Sequence, residues 1–444
     1  MSEQERCEAQ YVKSVDLNVS ETHCRAVWDG FLCWPATQSM SVVHMPCPPE
    51  KGVDISKFAF RVCDKEGAWL GHPERETSAL GWSNYSDCFT SEIRLLLDKL
   101  YTHSESDVQR KIQIAKETRV IEMAGLSVSL VLLLISIFIF IYFGSLRNKR
   151  TQVHKNLFVA MFVQVVVRLV LYTDQWMSRE NIDNAANRTA HPFSIENKPV
   201  LCELVYVVLE YARTSVFVWM LLEGIHLHTS VVLVFPAEVK FAFFLAIGWG
   251  APVIFVTVWA SVMATYFSTT QCWWGYAFSR YYWILEGPRM CIIAINFVIL
   301  LNIVCIVLMK VQVNTSSELQ QIRKAVRAAL LLLPLLGITN VMDIIPGPIE
   351  GTPLQFAIWS YTAHIFSASQ GFFISLLYCF LNKEVQEAIR KHWRFYRFSG
   401  KSLLAGWSRP DSMPVPRIRP VTEENAVSRQ NDKLSSEEPP VGPL

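Results

Sequence analysis

Apolar and polar positions divide the chain into a polar, cysteine-bearing first quarter, a long middle of repeated apolar stretches, and a polar tail. The first uninterrupted apolar stretch, Met123 to Phe143, has 21 residues without a charge, enough for one helix to cross a bilayer. Further stretches of that kind run from about Thr151 to Trp176, Val200 to Val234, Phe241 to Phe267, Tyr282 to Met309 and Leu354 to Leu381. Between the last two lies another: Arg323, Lys324 and Arg327 are followed by Ala328 to Asn340, almost wholly apolar. A helix that is apolar all round is buried in protein or in lipid, not half-exposed to water. Seven spans are therefore predicted. The sixth carries Pro334 and Gly337, which predict a kink: proline lacks the N–H that would close a helical turn, and glycine adds backbone freedom.

Lysine and arginine set the orientation. Arg147, Lys149, Arg150 and Lys155 follow the first span; Lys310, Arg323, Lys324 and Arg327 lie between the fifth and sixth; Lys383, Arg390, Lys391, Arg394 and Arg397 follow the seventh. The opposite connections hold only Arg179, Arg188 and Lys198, then Arg280, and none between Asp343 and Pro353. The basic side is predicted to be cytosolic, which puts the cysteine-bearing first quarter outside.

Of 444 residues, 51% are hydrophobic and only 18% charged, against about 25% charged in soluble domains. A net charge of +2 gives no argument for nucleic acid. Six of the 11 cysteines, Cys7, Cys24, Cys33, Cys47, Cys63 and Cys88, fall in the polar first quarter. No C-x2-C pair marks a zinc site, so three disulfides in an oxidising compartment are expected, in any of fifteen connectivities. Trp28, Trp34, Trp69 and Trp82 give this small module a core that bridges would have to supplement. Val42-Val43 and Phe58 to Val62 read as short strands. The first seven residues carry no apolar h-region, so no secretory signal peptide is expected in them. Export then depends on an incomplete or alternative beginning or on the first span, and both stay open. Residues 90 to 118 are charged and helix-prone and are expected to extend the first span outward as a stalk.

After the seventh span, Val385, Ile389, Trp393 and Tyr396 share one face among cations, the pattern of an amphipathic helix on the inner leaflet. Residues 399–444, rich in Pro, Ser and Glu, are expected to be disordered, with Ser435 and Ser436 open to phosphorylation.

Ionisable groups inside a membrane are expensive and point to function. Glu210 and Arg213 lie one turn apart and are expected to pair, with a structural bridge from Arg168 to Glu210 as the alternative to a ligand role. Arg168 stands 14 residues beyond His154, about 21 Å along a helix, hence in the outer half, where a cation suits an anionic or polar ligand segment. Cys202 and Glu223 are about 31 Å apart along the third span, one at each rim. Cys202 is expected to bridge to Cys272, and Glu223 to meet His154 at the inner mouth. His226 and His228, two apart, face different sides of a helix, so no metal site is expected. No HExxH, GxSxG or P-loop pattern supports an enzyme, and no repeats or paired broken helices support a transporter.

These residues together resemble the secretin-like, class B, G-protein-coupled receptors over nearly the whole chain. The outer words are Asp29, Cys33-Trp34-Pro35, Cys47-Pro48, Arg61, Gly67, Trp69 and Trp82. The bundle words are His154, Glu223-Gly224, Leu227-His228, Gly248-Trp249-Gly250, Asn296, Pro334 to Gly337, Gln370-Gly371 and Tyr378 to Asn382. A narrower likeness, through Ser145 to Asn148, His154 to Met161, Leu209 to Thr214, Tyr281 to Arg289 and Arg323 to Asn340, is to the subfamily that receives arthropod pigment-dispersing-factor neuropeptides.

The resemblance implies an all-α seven-transmembrane helix bundle, a small disulfide-rich α/β extracellular hormone-binding domain and an amphipathic helix 8. Its expected parts are 1–111 (outer domain and stalk), 112–381 (bundle), 382–398 (helix 8) and 399–444 (tail). It implies bridges Cys7–Cys33, Cys24–Cys63 and Cys47–Cys88, with Asp29, Trp34, Trp69 and Trp82 as the outer core. It implies an inner polar lock of His154, Glu223 and Tyr378, with Arg323 and Lys324 at the G-protein face and Pro334 and Gly337 as hinge. Two departures, Ala329 for a threonine and His226 for a tyrosine, leave that lock weaker or with other partners. A third is Gln164 where many members have arginine. Gln164, Arg168, Trp274 and Glu286 are the expected ligand contacts.

The expected ligand is an amidated peptide hormone, and the expected output is Gs and cyclic AMP at the plasma membrane. Arrestin and receptor kinases are expected at the tail, membrane lipid around the bundle, and no cofactor, metal or nucleic acid. Receptors for corticotropin-releasing-factor-like diuretic peptides share the Arg323 to Thr339 words and are the runner-up. An adhesion protein without G-protein coupling, and a channel or transporter, are the remaining classes.

The orientation makes a test of itself. Asn18, Asn84 and Asn187 stand in sequons on the outer side, and Asn314 in one on the cytosolic side. Mass spectrometry should find glycan at outer sites and none at Asn314; glycan on Asn314 would invert the topology.

Overall fold

The computed structural model describes residues 3–12, 22–48, 50, 52–71, 81–101, 104–143, 148–184, 195, 198–232, 240–312 and 347–405. Two compact units are distinguished, Met1–Ala388 and Ile389–Leu444.

The outer module opens with α1 (Glu3–Val12). Gln4 Oε1 accepts the Trp28 N–H at 2.7 Å, its amide donates to the Ala26 carbonyl, and Cys7 is bridged to Cys33. Three short antiparallel pairs follow: β1 (His23–Cys24) with β4 (Thr37–Gln38), β2 (Val27–Trp28) with β3 (Cys33–Trp34), and β5 (Val42–Pro46) with β6 (Phe58–Val62). In the last pair Val42 lies opposite Val62 and Pro46 opposite Phe58. The alternation of β6 buries Ala59 and Arg61 and turns Phe58 outward. Bridges Cys24–Cys63 and Cys47–Cys88 cross between these layers. Trp34 is fully buried at the centre; Trp69 and Trp82 are half-buried at its edge.

One carboxylate organises this small core. Asp29 accepts from the Phe31 and Leu32 N–H groups, the Trp34 indole at 2.7 Å, Ser83 Oγ at 2.5 Å and Tyr85 OH at 2.7 Å. Arg61, only 1% exposed, stacks its guanidinium 4.9 Å from the Trp69 ring and 6.0 Å from that of Trp34. Burial alone would raise the Asp29 carboxyl, but these hydrogen bonds outweigh it and hold it below its ordinary value of 3.8.

The expected stalk is two helices, α2 (Ser91–Tyr101) and α3 (Glu105–Tyr142), and α3 continues without interruption through the first apolar span. Then come α4 (Lys149–Asn184), α5 (Pro199–Val232), α6 (Phe241–Tyr266), α7 (Trp283–Gln312) and α8 (Pro353–Ser375). Among the described residues, six helices are long and apolar enough to cross a membrane. The sixth predicted span, with Arg323, Lys324, Pro334 and Gly337, lies outside the described residues, as do Asn18, Asn187, Asn314 and residues 406–444.

The α3–α8 seam shows how the bundle closes. Small residues let two backbones approach, which substitutes van der Waals contact for the missing hydrophobic drive in lipid. A Cβ on Gly125 would stand 2.8 Å from that of Ala368, and one on Gly371 3.0 Å from Ser129. Ser129 Oγ donates to the Ala368 carbonyl at 2.7 Å and accepts the Phe372 N–H. Further out, Ser360 Oγ donates to Thr118 Oγ1, and buried Lys111 donates to the Ile349 carbonyl at 2.7 Å.

The inner end of α8 widens into a π-helical turn, Leu376–Phe380, closed by the Leu381 N–H on the Leu376 carbonyl at 2.8 Å. Asn382 Oδ1 then accepts the Glu384 N–H and starts α9 (Lys383–Ala405), a helix where an amphipathic one is expected. Val385 is buried near its start, and Trp393 is exposed further along.

The Asp29 hub sets a pH dependence. A depressed carboxyl stabilises the fold above its ordinary value, and that contribution is lost as pH falls through the lowered value. The thermal stability of the purified protein should fall on acidification below about pH 4, following the unperturbed carboxyl range. Asp29→Asn should flatten that acid limb and cost about 1.5–3 kcal/mol at pH 7. Trp34→Ala should cost about 3–5 kcal/mol at any pH.

Candidate functional site

Among the described residues, charged side chains within the bundle gather at three places. Near the middle of α3, one residue before its apolar run, Glu122 is fully buried. Arg168 of α4 pairs with Glu122 Oε1, donates from Nε to Tyr172 OH at 2.8 Å, and reaches Ser367 of α8 at 2.9 Å. Tyr172 OH donates to Glu122 Oε1 at 3.2 Å. Arg119, one turn outward on α3, lies with its guanidinium 4.0 Å from the Tyr172 ring centre and 3.5 Å from Glu122 Oε2. His364 Nε2 of α8 stands 3.7 Å from the same oxygen. Three helices thus converge on one carboxylate. The structural alternative for Arg168, a bridge to Glu210, is corrected: its anion is Glu122.

The second group lies between α5, α7 and the loop joining α6 to α7. Arg289 of α7 is 0% exposed and contacts Glu210 Oε2 at 2.5 Å, Glu286 Oε2 at 3.2 Å and Thr214 Oγ1 at 2.7 Å. Tyr276 OH donates to Glu210 Oε1 at 2.8 Å. Arg213, one turn beyond Glu210 on α5, donates to Tyr282 OH at 3.1 Å. Cys202 bridges to Cys272 and ties this loop to α5.

The third group is at the inner end. His154 Nδ1 of α4 lies 2.8 Å from Glu223 Oε1 of α5, off hydrogen-bond alignment. Tyr378, on the π turn of α8, packs its ring 4.6 Å from that of His154. All three are buried. A Cβ on Gly224 would stand 2.9 Å from Asn296 Oδ1, so α5 and α7 touch beside this group.

The expected ligand contacts separate into different surroundings. Gln164 is buried on α4, one turn inward of Arg168. Glu286 is held by Arg289 in the second group. Trp274 meets the outer module: a Cβ on Gly52 would lie 2.7 Å from its ring. Around that point the module is bonded to the loop, with the Ile55 N–H on the Thr269 carbonyl at 3.3 Å and Asp54 bridged to Thr270. Sequence reasoning missed Glu122, Arg119, Arg289 and Tyr276. Glu122 and Arg119 sit just outside the apolar run, where a charge looks solvated. Arg289 within the fifth span was the available signal.

The family model for seven-transmembrane receptors of the secretin family matches residues 115–374, and that for the hormone receptor domain matches 21–91. The chain is 44% identical to the PDF receptor of Drosophila melanogaster over 87% of its own length and 57% of that protein's. It therefore spans less than two thirds of that relative. It is 35% identical to calcitonin receptor-like protein 1 of Caenorhabditis elegans, covering 87% of this chain and 71% of that one. With corticotropin-releasing factor receptor 1 of Mus musculus it shares 33% identity, over 94% and 91% of the two chains.

The Glu210–Arg289 pair gives a stability test. Arg289→Gln leaves a buried carboxylate without its cation, a loss of about 3–5 kcal/mol, and should sharply reduce surface expression. Glu210→Gln in the same chain should recover much of it, read by cell-surface labelling.

Proposed function

Because this chain belongs to the secretin family of seven-transmembrane receptors, we propose that it receives a neuropeptide of the pigment-dispersing-factor type and couples to Gs, raising cyclic AMP. Members of this family are receptors rather than enzymes, and the protein is a multi-pass plasma-membrane protein with its hormone-receptor module outside. The observation that carries the proposal is the seating of that module. A disulfide-bonded domain stands at the mouth of a helix bundle and bonds directly to the loop that Cys272 fastens to α5. The 44% identity with a PDF receptor supports the ligand class, and the 33% identity with a corticotropin-releasing factor receptor keeps peptides of that type as the second reading.

In this reading the outer module holds the carboxyl half of an amidated peptide, and the amino half enters the bundle towards Gln164, Arg168, Trp274 and Glu286. Two linked contacts raise the local concentration of the second, so neither has to be strong. The peptide shifts the bundle only if it prefers the open state. The sixth span, hinged at Pro334 and Gly337, swings its Arg323 and Lys324 end away from His154, Glu223 and Tyr378 and admits a G-protein helix in a groove. Arrestin and receptor kinases then engage the tail.

Cells expressing the chain should give a saturable cyclic AMP rise with a synthetic pigment-dispersing-factor peptide, and less with a diuretic peptide of the corticotropin-releasing-factor type. A reversed order of potency would move the assignment to the second reading. Silence to both, at verified surface expression, would favour an interaction protein without G-protein coupling.

A further inference from the structure

The seam between α3 and α8 is polar along its length, but its two ends are not fastened alike. The helices run parallel, with Thr118 against Ser360 and, further in, Ser129 against Ala368 and Phe372. Direct bonds close both of these levels. Ser360 Oγ donates to Thr118 Oγ1 at 3.1 Å, and Ser129 Oγ donates to the Ala368 carbonyl at 2.7 Å and accepts the Phe372 N–H at 3.2 Å. About two turns further in, the same register brings Ser136 to the level of Ser375 and Cys379.

At this inner level the direct bonds stop. The Ser136 and Ser375 hydroxyls are both 0% exposed, and among the described residues neither has a hydrogen-bond partner. Hydroxyls elsewhere in the bundle fall back on a carbonyl one turn earlier in their own helix, as Thr173, Ser215, Thr257 and Ser261 do. Ser136 and Ser375 do not. The Ser136 hydroxyl instead adjoins the Cys379 thiol, off hydrogen-bond alignment. Leaving a buried hydroxyl unbonded is costly, and two at one level mark a place for a bonding guest.

The guest must be small, because Leu133 and Ile374 beside it are each 0% exposed. It must also donate and accept. Two hydroxyls and a thiol bring no negative charge, which disfavours a hard cation. Water fits, since a buried water takes two to four polar partners. The place has a mechanical setting as well. Ser375 directly precedes the π turn Leu376–Phe380, which carries Tyr378 against His154. Single π turns inside helices mark functional positions.

We propose that a buried water molecule bridges Ser136, Ser375 and Cys379 and makes the inner end of the α3–α8 seam an exchangeable joint. The outer and middle levels stay fixed by direct bonds. The inner level is held by a molecule that can reorient or leave, so the π turn can rewind without breaking a bond between the two helices.

The test uses full-length protein in lipid nanodiscs with no peptide added. A short X-ray pulse in heavy-oxygen water converts bound water to hydroxyl radicals, which oxidise the side chains they touch. Cys379 should take up label several-fold faster than Met161 and Met263, sulfur-bearing controls that are 1% and 0% exposed. Ser136→Val removes a hydroxyl and fills the space with a methyl group. It should bring Cys379 labelling down to the controls and slow deuterium exchange of the amides in 376–381 several-fold. Ser136→Ala with Ser375→Ala leaves an apolar gap, which stays dry, and should give the same fall in labelling without crowding the seam. Labelling of Cys379 no faster than the methionines in the unaltered protein overturns the water. Fast labelling that survives both variants overturns the site. Labelling lost while exchange of the π turn is unchanged overturns the joint. No arm needs a ligand, so failure of any of them leaves the peptide-receptor reading untouched.

Discussion

A carboxylate inside a bilayer has no water to turn to, and this constraint shapes the bundle more than any other. Leaving such a group unpaired costs several kcal/mol, so each buried acid must be met by a cation from another helix or from the next turn. Glu210 is met by Arg289 across the α5–α7 contact, and Glu122 by Arg168 across α3–α4. These pairs fix rotation and depth of the helices, which apolar packing alone leaves loose because lipid tails are as apolar as leucine. Around them the small-residue seam between α3 and α8 supplies contact area.

The outer module solves a parallel problem by other means. At this size, apolar burial gives little margin over chain entropy, and three bridges restrict the unfolded chain instead. What apolar core exists is centred on Trp34 and fixed by Asp29, whose oxygens accept from loop N–H groups, an indole and two hydroxyls. Arg61, buried between two indoles, balances that charge at close range. The module is then joined to the loop before α7, and that loop to α5 through Cys202–Cys272. A covalent and hydrogen-bonded line therefore runs from the module into the helix that holds Glu210, Glu223 and Gly224.

Within the bundle the polar groups differ in what they permit. The Arg289 group is sealed and balanced, so it serves as a fixed post. The His154, Glu223 and Tyr378 group is buried yet imperfectly aligned, and its tyrosine stands on a π turn, a form of helix that stores an extra residue. The Glu122 group draws α3, α4 and α8 together around one buried carboxylate, with Arg119 beside it partly exposed.

By itself the sequence determined the membrane spans, their orientation and the existence of a bridged outer module. Hydropathy over 20 residues, the lysine and arginine count of each connection, and the clustering of six cysteines are local properties that need no folded neighbour. It also placed His154 and Glu223 at one depth, because rise along a helix is fixed at 1.5 Å per residue. The partners of the buried charges were decided only by tertiary structure. That Arg289 of α7 meets the Glu210 carboxylate was settled by helix rotation and the neighbour's approach. Glu122 looked like a solvated residue before an apolar run until α4 and α8 closed over it. Sequence reports how deep a side chain lies along its own helix; only the packed bundle reports what stands opposite it.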